Sequence, residues 1–139
     1  MTVISAAGIV KPIAMNPEEN GPAGDLRGPT DLTSYGGISG IVDRDNGMFL
    51  VGVFLTDEPR SGAGPERLDF TDQEDFDELA PQVNQTFLIG DGAGRRYVVP
   101  SGATRVFLGF ADGASYQGAP GWYDNNRGQL AVSVEFAAE

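Results

Sequence analysis

Twenty glycines and nine prolines cut the apolar stretches of this chain into short runs. The runs are TVISAAGIV at 2–10, GISGIV at 37–42, MFLVGVFLT at 48–56, TFLIG at 86–90, RRYVVP at 95–100, TRVFLGFA at 104–111 and QLAVSVEF at 129–136. Each is the length of a strand and too short for a packed helix. QLAVSVEF alternates apolar and polar residues, as a half-buried strand does, whereas MFLVGVFLT is apolar on both faces, as a central strand is. DRDNG joins the second and third runs as a hairpin-type turn. It resembles the start of an EF-hand loop, but Gly47 falls one place early and Phe54 stands where the bidentate glutamate belongs. Residues 11–31 hold four prolines and read as a long ordered loop. Residues 57–85 are acidic, and DQEDFDELA within them is expected to form one or two helical turns. The pattern predicts an all-β, jelly-roll-like antiparallel β-sandwich, with residues 1–139 as a single domain.

Composition narrows the chemistry. The formal net charge is -11, from nine Lys+Arg against 20 Asp+Glu. That balance repels phosphate backbones, so nucleic acid is not an expected partner, whereas cations and neutral ligands such as sugars are. No apolar run approaches a membrane span. The first residues carry no basic segment ahead of their apolar stretch, so no signal peptide is visible. Cysteine and histidine are absent. Disulfides, thiolate nucleophiles, Cys/His zinc sites and Ser-His-Asp triads are thereby excluded. Any chemistry left runs on carboxylates, hydroxyls, amides or a metal held by oxygen.

One segment concentrates such oxygens. APGWYDNNRG at 119–128 places two aromatics, an aspartate and two asparagines between glycines. On a regular strand, adjacent Asn125 and Asn126 would point to opposite faces; in a tight loop both can turn to one side. Two amide oxygens beside a carboxylate make a partial shell for a hard cation, with Asp112 and Asp124 as the local carboxylates. The same residues also suit a plain polar turn without an ion.

FLGFAD at 107–112 followed by PGWYDNNRGQLAVSV at 120–134 resembles the C-terminal half of galactophilic bacterial lectins of the PA-IL type, and of exported bacterial proteins that share their domain. LVGVFL, FLIGDG and YVVPSGATRVFLGFADG extend the resemblance upstream, and AAG at 6–8 resembles the family's early strand. The resemblance implies a Ca2+ at the tip of the sandwich, whose shell is completed by vicinal sugar hydroxyls. It makes Asp112 the carboxylate ligand, Trp122 and Pro12 backbone-carbonyl ligands, and Asn125 and Asn126 side-chain ligands. Where the lectins carry His-Pro-x-Gln to hold galactose, this chain has GPTD at 28–31. Gly28 replaces the histidine, Pro29 is kept, and Asp31 replaces the glutamine and is left to accept a sugar hydroxyl. Trp122 and Tyr116 are expected against the apolar face of the sugar ring, with Tyr123 packing the loop. GASYQGA at 113–119 is longer than the lectin loop and is expected to cap, shape or block the site.

The implied function is calcium-dependent recognition of glycans, including galactose-like sugars, without turnover, outside the cell or at its surface. A calcium-stabilised structural or adhesive domain is the alternative. A two-carboxylate glycosidase built on Asp112 and Asp124 is disfavoured, because carboxylates tied to a calcium are poor proton donors. An uncovered sheet edge would suit a homo-oligomer or a strand-adding partner chain.

Overall fold

The structure, a computed structural model, describes residues 1–12, 20–24, 28–92 and 94–138. Its strands are β1 (Thr2–Lys11), β2 (Thr30–Leu32), β3 (Ile41–Asp43), β4 (Leu50–Leu55), β5 (Leu68–Asp69), β6 (Glu78–Leu79), β7 (Thr86–Leu88), β8 (Arg96–Tyr97), β9 (Arg105–Phe110), β10 (Gln117–Gly118) and β11 (Arg127–Glu135). The only helix among the described residues is a 3-10 turn, Tyr123–Asn125. The all-β sandwich expected from the apolar runs is what the chain forms.

Three sheets build it, ordered β11-β1-β8-β6, β10-β2-β3-β5 and β7-β4-β9. The central strand is β4, which pairs antiparallel with β7 on one side and β9 on the other. Its two-faced apolar character is explained by its neighbours. Leu50 and Phe54 point into a core shared with Val3 of β1, Phe87, Ile89 and Tyr97. Val51 points the other way, towards Leu32, Ile41, Phe70 and Leu88. Period-2 alternation therefore feeds two cores from one strand. Phe87 stacks on Phe54 with ring centroids 5.1 Å apart and meets Tyr97 at 4.9 Å. The Tyr97 hydroxyl, deep in this cluster, donates to the Leu88 carbonyl at 3.0 Å, so burial leaves no polar atom stranded there.

Several local expectations are corrected. DQEDFDELA forms no helical turn; Phe76 instead packs against the core, and the segment ends in β6, which runs parallel to β8. Tertiary burial of Phe76 overrides a weak helical preference. GISGIV is strand only from Ile41, because Tyr35 and Ile38 close a tight turn before it. The loop expected over 11–31 ends in β2; residues 13–19 and 25–27 of it lie outside those described. The short pairs β10–β2, β3–β5 and β6–β8 are parallel, whereas the longer ladders are antiparallel as expected.

For the site, two consequences of this frame matter. β1 and β11 run antiparallel with Lys11 opposite Arg127, which brings Pro12 beside the start of β11. β10 lies along β2, so the 113–119 segment is held against residues 28–31.

Candidate metal centre and ligand cleft

β9 delivers the chain to Asp112. Ala111 is pinned by its N–H to the Phe49 carbonyl at 3.0 Å, and Asp112 is buried directly after it. The chain then loops out through β10 and returns. Gly121 donates to the Asp112 carbonyl at 3.3 Å, Trp122 takes a left-handed φ of 68°, and the 3-10 turn follows. Asn126, at φ -73° and ψ 152°, is already extended and leads into β11. The change from 3-10 to extended backbone between Asn125 and Asn126 frees the two side chains from the opposite faces a strand would impose, and the Oδ1 atoms of both are buried. Tyr123 fastens this return to the end of β9. Its hydroxyl donates to the Phe110 carbonyl at 3.2 Å, and its ring lies 5.8 Å from that of Phe110. Tyr123 thus packs the loop, as expected.

Buried oxygen atoms set the electrostatics of this corner. Asp112 Oδ1 accepts from the Gly113 N–H at 2.7 Å and Oδ2 accepts from Asn126 Nδ2 at 2.7 Å. Burial pushes the Asp112 carboxyl above its ordinary range, and these two bonds pull back against that. Oδ1 of Asn125 and Oδ1 of Asn126 are both buried with no hydrogen-bond partner. A buried unsatisfied acceptor costs about 1–3 kcal/mol. Two in adjacent residues, next to a buried carboxylate, leave acceptor capacity that a hydrogen-bond donor or a cation would fill. Among the described residues no group of three or more Asp or Glu converges anywhere. The donors on offer here are therefore one carboxylate plus neutral amide and carbonyl oxygens. That set suits Ca2+, which takes six to eight mixed oxygens, better than a metal that prefers nitrogen or sulfur.

A cleft of about 590 Å³ is bordered by Asp112 and Asn125, while Asn126 lies outside its lining. Pro12 and Trp122 also border it, together with Pro29, Tyr116 and Gln117. Residues 110 positions apart in sequence, Pro12 and Trp122, meet here only because β1 pairs with β11. Trp122 is 58 % exposed, so its indole stands in solvent at the rim. The 113–119 segment shapes the cleft. The Tyr116 carbonyl accepts from the Asp31 N–H at 2.9 Å, and Tyr116 itself sits at a left-handed φ of 61°. Its ring lies on Gly47, where a Cβ would come within 2.8 Å of Tyr116 Cδ2. Gly28 is equally confined: a Cβ there would lie 2.6 Å from the Asn46 nitrogen. The histidine of the lectin pattern has no room at this position.

Two expected residues stand elsewhere. The Asp31 carboxylate is 2.7 Å from Arg67 Nη1 and 3.6 Å from Arg44 Nη1, and it does not border the cleft. Arg67 also donates to the Leu32 carbonyl at 2.9 Å, so the pair braces β2 rather than waiting for a hydroxyl. Asp124, the other local carboxylate, is exposed on the 3-10 turn and away from the cleft lining. Sequence reasoning missed Gln117 and Ser115 as polar cleft residues. Their only signal was membership of the long 113–119 loop. Comparison with known proteins returns no matching family model, no matching curated protein and no matching solved structure.

Proposed function

We propose that this protein is a calcium-dependent carbohydrate-binding module. The observation that carries the reading is the pair of buried, unpartnered amide oxygens of Asn125 and Asn126 beside the buried Asp112 carboxylate, under a cleft rimmed by an exposed indole. Asp112, Asn125 and Asn126 would hold the ion through side chains, and Trp122 and Pro12 through carbonyls. The ion would supply an electrophilic anchor for two vicinal hydroxyls. The chain supplies the rest: Trp122 and Tyr116 offer apolar ring faces, and Gln117 offers an amide for a further hydroxyl. With Gly28 unable to carry a side chain and Asp31 tied to arginines, sugar selection falls to Tyr116 and Gln117. The resemblance to PA-IL-type lectins supports glycans as the ligand class, galactose-like sugars among them. A single carboxylate gives weak charge compensation, in keeping with extracellular calcium modules of Kd about 10⁻⁴–10⁻³ M, so action outside the cell or at its surface is part of the proposal.

The second reading is a calcium-locked structural or adhesive domain. It is favoured by the Asn126–Asp112 bond, which already braces the loop and would make the ion a clamp. Calorimetric titration separates the two. Calcium binding together with sugar binding that disappears in chelator and in Asn125→Ala supports the lectin. Calcium binding with no response on a broad glycan array supports the clamp. Absence of calcium binding removes both.

A further inference from the structure

β11 is an edge strand. Among the described residues it pairs only with β1, and its outer row, Arg127, Gln129, Ala131, Ser133 and Glu135, is exposed along its whole length. The inner row, Leu130, Val132 and Val134, is only partly buried against the core. Exposed edges carry unpaired backbone donors and acceptors, and proteins blunt them with charge, proline or bulges. This row has no proline and no charge between its two ends.

The ends carry opposite signs on one face. Arg127 and Glu135 are four positions either side of Ala131. Antiparallel pairing of β11 with its own copy about Ala131 sets Arg127 opposite Glu135 of the second copy, and Glu135 opposite its Arg127. The same register sets Leu130 opposite Val132 and Gln129 opposite Ser133. The charge pattern is thus complementary to itself under a two-fold axis, which is what a self-pairing interface requires. Within one chain Lys11 is the cross-strand neighbour of Arg127, and Thr2 that of Glu135. The Arg127 Nη1 contacts to the Asp124 and Asn126 carbonyls use one of its nitrogens, and a guanidinium carries five donors. In a chain of net charge -11 this row is neutral, so copies can approach here with little repulsion.

Of the other end strands, β6, β10, β5 and β7 are only two or three residues long, and β9, the one of comparable length, lacks this pattern. Among the described residues β9 borders only β4, and its single charge, Arg105, lies 3.7 Å from Asp57 of the same chain. From these observations we infer that the protein forms a two-fold homodimer through antiparallel β11–β11 pairing centred on Ala131. The two β11-flanking clefts then lie at opposite ends of the joined sheet, about 33 Å apart at ten residue rises, and the dimer is bivalent.

Sedimentation equilibrium of the full chain, up to about 1 mM, tests the inference. The wild type is expected to dimerise in calcium and in chelator alike, so the dimer and the calcium reading fail independently. Glu135→Arg and Arg127→Glu each place like charges opposite one another twice, and each is expected to weaken the dimer about tenfold or more. The double variant is expected to restore it. Circular dichroism establishes that every variant is folded, and hydrogen exchange is expected to slow in β11 on dimerisation. A monomeric wild type, single variants that dimerise unchanged, a double variant that stays weakened, or protection in β9 in place of β11 would each overturn the inference.

Discussion

Asn126 Nδ2 donates to Asp112 Oδ2 at 2.7 Å, joining the end of β9 to the start of β11. The bond orients the amide, so its carbonyl oxygen is buried with nothing to accept from. Asn125 Oδ1 is an orphan of the same kind, and no hydrogen bond joins it to Asp112. The two asparagines therefore separate under mutation. Asn126→Ala removes a charge-assisted bond and is expected to lower stability in chelator by about 1.5–3 kcal/mol. Asn125→Ala removes only a penalty, so its stability in chelator is expected to stay level or rise. Both variants are expected to lose stabilisation by calcium. Urea melts with and without the ion check this; equal losses in chelator would sink the distinction.

Calcium at a concentration 100 times its Kd is expected to raise wild-type stability by about 2.7 kcal/mol. Trp122 is the only tryptophan and borders the cleft. Its emission is therefore expected to change on calcium addition and again on sugar addition. A flat fluorescence titration alongside a calorimetric signal would place the ion elsewhere.

Gly47 supports the Tyr116 ring, and a methyl group there would meet it at 2.8 Å. Gly47→Ala is expected to displace Tyr116 from the cleft wall. Affinity for glycan should fall several-fold while the calcium-dependent shift in melting is kept. Loss of the calcium shift as well would mean that the 43–48 turn also supports the 112–126 loop.

Asp43 gives a pH dependence of known sign. It is buried beneath that turn, Oδ2 has no hydrogen-bond partner, and Glu74 lies against it. Burial first, then the contact with Glu74, pushes its carboxyl up to about 7 from an ordinary value of 3.8, while the Asp45 N–H pulls it down. The folded state holds this proton more tightly than the unfolded chain. The stability it contributes is thus fully present below pH 3.8 and is lost as pH rises to about 7, then level. Asp43→Asn keeps the shape and removes the titration. Urea melts across pH 4–7 are expected to show a shallower fall in this variant; an unchanged slope would assign the dependence to other groups.

The unbroken run of residues from Asp112 to Asn126 explains why the core of the candidate site was legible beforehand. Its candidate ligands are near neighbours in sequence, and a turn composition that gathers amide and carboxylate oxygens is a local signal. β4 was legible as a central strand because burial on both faces removes alternation. Pro12 and Pro29 were legible only through the resemblance, since nothing local ties them to residue 112.

By itself, the order of residues determined the strand-and-turn architecture, the exclusion of thiol and imidazole chemistry, and the oxygen-rich return loop. Those follow from periodicity, composition and adjacency. Only the tertiary structure decided that Asp31 belongs to Arg67, 36 residues away, that Tyr116 rests on Gly47, and that Asp43 shares its burial with Glu74. Such pairings depend on which strands come to lie side by side. Period-2 patterning fixes which face a residue points to, and leaves open which distant residue it meets there.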